Sequence, residues 1–316
     1  VTKGIIQSLD EIGAVGHRLV HGADKYDHSV IITDEVVEDL RRFSDLAPLH
    51  NPANILGIEA AREVLPNVPM VGVFDTAFHQ TMDEVSYMYP VPYEWYEKYK
   101  VRKYGFHGTS HCYISKQIPK LLGRDEYKAI ICHLGSGGSL SAVRDGKCVD
   151  TSMGFTPLPG IMMGTRSGDI DPSIIPFIAK KENKTADEVV NELNKKSGFL
   201  GLTEKYSDFR DVYAGVEAGD EKCILAFNKY VRTVVNYIAM YYVELGGIDA
   251  ICFTAGLGEN AIPARKAIVE KLACLGIKLD EKKNNTRGET VEISADDSSV
   301  RLFVIPTNEE LMIATD

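Results

Sequence analysis

Several short stretches of this sequence place small residues beside groups able to hold an anion. Residues 135–139 read Gly-Ser-Gly-Gly-Ser directly after an apolar run. Small residues there let backbone N–H groups approach a phosphate closely, although a Gly-rich hairpin can also be purely structural. The stretch is not a P-loop, since GxxxxGKS or GxxxxGKT is absent, and it is not a GxGxxG entering a helix. Residues 254–260 (TAGLGEN) make a second such turn between a strand-like and a helix-like segment. That turn suits a nucleotide at a helix N-terminus, or is a plain strand-to-helix connection. Arg166 lies in 163–172 (MGTRSGDIDP) and Arg18 in 16–22 (GHRLVHG). An arginine held by a tight loop presents a fixed guanidinium fork to phosphate or carboxylate; a solvated loop arginine is the alternative.

All eight histidines lie between His17 and His133. His107 and His111 are four apart, a spacing open to zinc on a helix. However, Gly108, Thr109 and Ser110 lie between them and the glutamate of HExxH is missing. Asp75 ends the apolar run 69–74, and carboxylates at the carboxyl ends of α/β strands often face ligands. Glu309 and Glu310 stand at a helix start, where they suit the helix dipole or a divalent cation. Backbone amides, two arginines, histidines and carboxylates are the inventory of phosphoryl transfer, which needs in-line positioning and charge neutralisation.

The elements that must position these groups alternate. Strands are expected over 12–20, 69–74, 129–134, 139–143, 248–254 and 302–305, with the Asp145-Gly146 pair marking a hairpin. Helices are expected over 53–65, over 110–122 with Pro119 disturbing it, through most of 173–196, and over 221–245 and 262–275, with a last one from about Asn308. Residues 1–12 read as the tail of a helix. The alternation predicts an α/β fold. The chain has 316 residues, 44% hydrophobic and 25% charged, with 45 acidic against 35 basic side chains and a net charge of −10. It shows no basic stripe of a nucleic-acid binder, no run of about 20 apolar residues that would cross a membrane, and no secretory pattern at its start. Six cysteines without a CxxC pair read as free thiols in a reducing cytoplasm.

Eight words in order then resemble the acetokinase family: residues 15–22 (VGHRLVHG), 49–54 (LHNPAN), 73–82 (VFDTAFHQTM), 102–111 (RKYGFHGTSH), 150–172 (DTSMGFTPLPGIMMGTRSGDIDP), 207–211 (SDFRD), 253–260 (FTAGLGEN) and 307–311 (TNEEL). The resemblance implies a two-domain actin-like ATPase (ribonuclease H-like) fold and a homodimer. It also implies reversible phosphoryl transfer between ATP and acetate, with acetyl phosphate and ADP as products and Mg²⁺ or Mn²⁺ as the metal. It assigns Asp75, His107 and Arg166 to catalysis, and Arg18, Val20, Leu49, His50, Phe106 and Pro157 to the acid. ATP falls to His133, Leu134, Gly135, Ser136 and Gly137, to Asp208, Phe209 and Arg210, and to Gly256, Leu257, Gly258, Glu259 and Asn260; the metal falls to Glu309.

Two departures stand out. The family's hairpin usually reads HLGNG; Ser136 keeps a hydroxyl at the Asn position but loses the amide, which weakens a nucleotide contact. Nothing before Val15 resembles the family's opening strand and Asn-Cys-Gly-Ser-Ser-Ser loop. The expectation is therefore an incomplete first domain (1–77 with 306–316) beside a second domain (78–305), and a chain that is poorly stable and weakly active as written. Propionate kinase chemistry, or a non-catalytic nucleotide-binding fragment of the same fold, are the competing readings.

Overall fold

Strands without polar alternation must be covered on both faces, and the runs at 129–134 and 250–254 are covered in this way. The computed structural model describes residues 6–48 and 50–316. The strands are β1 (Val15–Leu19), β2 (Val30–Ile31), β3 (Met70–Phe74), β4 (Lys128–Leu134), β5 (Gly138–Arg144), β6 (Lys147–Thr151), β7 (Ala250–Thr254), β8 (Val291–Glu292) and β9 (Arg301–Val304). The helices are α1 (Asp34–Arg42), α2 (Asn51–Val64), α3 (Glu84–Tyr87), α4 (Tyr93–Tyr99), α5 (Gly108–Leu122), α6 (Ile174–Glu182), α7 (Ala186–Lys195), α8 (Gly198–Thr203), α9 (Phe209–Glu217), α10 (Glu221–Glu244), α11 (Ala255–Asn260), α12 (Ile262–Lys271), α13 (Glu281–Asn284) and α14 (Glu309–Thr315).

Two sheets result. The smaller has the order β1-β3-β2 and the larger β6-β5-β4-β7-β9-β8. In the larger, β4, β7 and β9 run parallel, while antiparallel pairings join β5 to β4, β6 to β5 and β8 to β9. Ile130, Ile251 and Leu302 face one way, onto the apolar stripe of α10. Ile131, Cys252 and Phe303 face the other way, onto Ile114 and Ile118 of α5. In the smaller sheet Leu19 and Phe74 pack beneath α1 and α2, with Tyr26 stacked flat on Phe74 at 4.6 Å. α14 lies against α5 and β1. Gly16 admits Ile313 there, since a Cβ would sit 2.4 Å from its Cγ2.

The Asp-Gly hairpin is present: Asp145 and Gly146 both adopt left-handed backbone angles between β5 and β6, as a tight two-residue turn requires. The helix expected over residues 1–12 is not found in its described part. Residues 6–12 hold only a 3₁₀ turn at Leu9–Glu11. That turn starts at a capping box, in which Ser8 and Glu11 bond each other's backbone, and ends where Ile12 turns to extended backbone. β1 likewise starts at Val15 rather than Ile12, because its partner β3 begins at Met70.

Pro119 does not break α5, which continues to Leu122 and ends at left-handed Gly123. A proline leaves the carbonyl four residues back without its helical donor. Here the Tyr127 hydroxyl donates to Ser115 O at 2.8 Å and fills the gap. Tyr127→Phe should therefore orphan a buried carbonyl and cost ~1–3 kcal/mol in urea unfolding. An unchanged midpoint would mean that Ser115 O finds another donor.

Candidate active site

Asp75 leaves the end of β3 with its side chain only 3% exposed. A carboxylate that deep needs partners. Arg18, at the matching end of β1, supplies two, donating Nε to Oδ1 at 2.9 Å and a terminal nitrogen to Oδ2 at 2.7 Å. Thr109 adds a hydroxyl to Oδ1 at 3.3 Å. The Asp75 backbone is also tied down: its N–H donates to Leu19 O and its carbonyl accepts from Gly108 at the start of α5. Only glycine fits at Gly108, because a Cβ would lie 2.1 Å from Asp75 O. Arg18 meets Glu309 at the head of α14 at 3.4 Å, and burial raises the Glu309 pKa.

His107 caps α5 with a left-handed backbone, φ 60°, which is strained for a residue with a Cβ. Its ring stacks on His133 at 4.2 Å. Nδ1 lies 2.9 Å from Ser139 Oγ, and His111 Nε2 lies 2.8 Å from the same oxygen. His133 continues the network to Ser110 and so to Thr307, and His79 lies behind, bonded to Phe106 O. Burial, with Arg18 and Arg166 close by, holds His107 neutral, its pKa down to about 3. His79 falls to about 4, and His111 and His133 well below the usual range, by burial first in each case.

Arg166 stands differently. Its loop is docked by backbone bonds: Met163 N–H to Arg166 O, Gly164 N–H to Ser136 O, Phe199 N–H to Met163 O and Ser197 N–H to Thr165 O. The half-buried guanidinium contacts Pro157 O at 3.3 Å and Met163 Sδ at 3.8 Å, with no carboxylate partner among the described residues. It is an uncompensated charge, and burial lowers its pKa. A Cβ on Gly137 would lie 3.4 Å from Arg166 Nη1 and 3.6 Å from His107 Nε2, so both face the turn between β4 and β5. Phe106, Met153, Met163 and Val20 form an apolar patch of their own, and Arg166, Asp75 and Arg18 act electrostatically on His50.

A cleft of about 790 Å³ opens next to that turn. Gly135, Ser136, Asp208, Phe209, Arg210, Gly256, Leu257 and Asn260 line it, together with Tyr213, Ala261, Pro263 and Arg287. Ala255, at φ 62°, turns the chain from β7 into α11 at its floor. Beneath it, Arg265 is wholly buried. All five of its donors are used: on Asn284 Oδ1 and on the carbonyls of Gly258, Glu259, Asn284 and Thr286. It fastens α11 to the loop that carries Arg287.

The structure thus gathers Arg18, Asp75, His107, Glu309, Val20, Phe106 and Pro157 around the Arg166 turn, and most of the expected nucleotide residues around the cleft. His133, Leu134, Gly137, Gly258 and Glu259 do not line the cleft: His133 is buried in its stack with His107, and Gly137 faces Arg166 and His107. Leu134 is core, Gly258 packs on the Phe253 backbone, and Glu259 accepts the Thr307 N–H. Leu49 lies outside the described residues. Sequence reading missed Met153, Met163, Ser139, Tyr213 and Arg287. A signal existed for Ser139, which closes the Gly-rich word, but none for Arg287.

Comparison with known proteins bears on this arrangement. The acetokinase family profile matches residues 1–315. An acetate kinase of Lachnoclostridium phytofermentans is 56% identical over 315 residues, covering 99% of this chain and 80% of the relative. The acetate kinase structure from Porphyromonas gingivalis superposes with a TM-score of 0.95 at 44% identity, over 100% of this chain and 80% of that one. A propionate kinase structure from Francisella tularensis gives 0.93 at 45%, over 97% and 79%.

The neutral rings set a pH dependence. His21 and His79, held to about 4, and His107, to about 3, stay unprotonated in the folded chain. Unfolded, each takes a proton near pH 6.5. The folded state therefore binds fewer protons, and stability complete above that pH is lost as pH falls, by ~1.4 kcal/mol per pH unit for each ring. Glu244, raised to about 7 by partial burial, works in the opposite sense, but its exposure to solvent makes it offset less than one ring. Urea midpoints should drop from neutral pH toward pH 5. A flat profile would show that the folded chain accepts these protons.

Proposed function

This chain belongs to the acetokinase family, and from that membership we propose how its residues carry out reversible phosphoryl transfer between ATP and acetate, giving ADP and acetyl phosphate. It is a phosphotransferase with the actin-like α/β fold of its relatives. The observation that carries the reading is Arg166. A half-buried guanidinium without a carboxylate, facing the Gly137 turn beside His107, is a charge built for an anion.

Acetate places its methyl against Val20, Phe106 and Pro157, with His50 completing the pocket, and its carboxylate toward Arg18. Asp75 holds that guanidinium in place. ATP lies along the cleft, its adenosine near Asp208–Arg210 and Gly256–Asn260, its phosphates over the 135–137 turn. Arg166 and neutral His107 donate to the transferring oxygens, and the apolar patch excludes water so that the acid is the nucleophile in a direct in-line step.

Family members use ATP or ADP with a divalent metal ion, here taken as Mg²⁺, or Mn²⁺ in its place. No three His, Cys, Asp or Glu converge as a metal set among the described residues. That fits an ion held by Glu309 and completed by substrate phosphates and water. The ion would supply charge neutralisation at the phosphates. We further assign 1–77 with 306–316 to the acid side and 78–305 to the nucleotide side. A homodimer is supported by the exposed Ile224, Leu225, Met240 and Val243 of α10. A cytoplasmic location is supported by six free thiols, and no described helix is long and apolar enough to cross a membrane.

Acetyl phosphate formation from ATP, acetate and Mg²⁺ tests the proposal, and no acetate-dependent turnover would overturn it in favour of a non-catalytic binding fragment. The likeness to a propionate kinase supports a second reading, in which the longer acid is preferred; the ratio of kcat/KM for the two acids decides. Arg166→Ala should lower kcat by ~10²–10³ with the fold retained; near-normal turnover would remove it from the mechanism. Val20→Ala should move preference toward propionate, within the ~10–200-fold span that one methylene commands. An unchanged kcat/KM ratio would take Val20 out of the pocket wall.

A further inference from the structure

We infer that Ser139 and His111 are positioning residues that fix the tautomer of His107, so that its Nε2–H points at the transferring phosphoryl group; this rests on the role given to His107 above. Ser139 stands on β5 opposite His133, wholly buried. Its oxygen is shared by His107 Nδ1 and His111 Nε2. A hydroxyl has one proton and two lone pairs, and Ser139 Oγ has no third hydrogen-bond partner among the described residues, so its buried proton is satisfied only if one ring nitrogen accepts from Ser139 and the other donates to it.

Two arrangements of neutral rings meet that condition. In the first, His111 Nε2–H donates to Ser139, whose hydroxyl donates to His107 Nδ1, and the His107 proton resides on Nε2. In the second, the direction reverses and His111 carries its proton on Nδ1. That nitrogen is buried and has no protein partner, so the second arrangement strands a buried N–H, the rarer and costlier fault. It also turns a lone pair of His107 toward the oxygens it must bind. The groups facing the two rings are Arg18, Arg166, His79 and His133, and with burial they keep a second proton off both.

¹⁵N spectra of the labelled, full chain should show His107 and His111 both protonated on Nε2 alone. In Ser139→Ala the His107 signal should become a mixture of tautomers. Its kcat should fall ~10-fold or more, as loss of a group that orients a functional ring does, with KM for ATP and acetate nearly unchanged. Ser139→Thr, which keeps the hydroxyl, should restore both the spectrum and most of kcat. A proton on His107 Nδ1 in the unaltered chain overturns the inference. So does full kcat in Ser139→Ala, or a fall in kcat with the tautomer unmoved. Absence of turnover in the unaltered chain would strike the function proposed above, while the spectrum still decides the tautomer.

Discussion

The desolvated carboxylate of Asp75 is the constraint from which the acid side of this molecule follows. With so little exposure, it depends on Arg18 for both oxygens. Removing one partner of such a pair leaves a bare buried charge, at a cost of ~3–5 kcal/mol. The same residue receives Gly108 through its backbone, so one position sets the direction of a guanidinium from the small sheet and the start of the helix whose cap is His107. Charge compensation and geometry cannot be separated here. Arg18 and Arg166 differ accordingly: one guanidinium is ion-paired within the protein, and the other has no carboxylate partner among the described residues.

Around these arginines the protein keeps its histidines neutral. Five buried imidazoles within a cationic neighbourhood would repel one another and the guanidiniums if protonated, and the stack of His107 on His133 requires that they are not. The positive charge beside these rings is thereby left to two points, the Arg18 and Arg166 guanidiniums, in a chain whose net charge is −10. A small anion is drawn to those points, and long-range attraction of polyanions such as nucleic acid is absent from the overall charge balance.

Much of this was legible in the sequence because it is local. The apolar runs became β4 and β7, the Asp145-Gly146 pair became the β5–β6 turn, and the Gly-rich word became the 135–137 turn facing Arg166, together with the start of β5. What escaped depends on contacts between distant residues. Arg287 reaches the cleft only because Arg265 pins its loop to α11. The Ser139–His111 contact spans 28 positions. Pro119 reads as a helix breaker until Tyr127 is seen to replace the missing donor. In the described part of the segment expected to be helical, residues 6–12, the one turn that the Ser8–Glu11 box starts runs at once into extended backbone at Ile12.

Arg265 has a consequence for how such a molecule can change over generations. A planar fork with five donors serves five fixed neutral acceptors. Lysine has three donors in a different geometry and no other side chain carries five, so this position admits no gradual path to another residue. The proposed acid pocket is built the opposite way. Val20, Phe106, Met153 and Met163 meet each other through dispersion alone, and apolar walls of similar volume exchange at low cost. On the proposed assignment, descendants of this scaffold can drift in the length of acid they accept by single steps, while Arg265 keeps α11 fixed to the loop that carries Arg287.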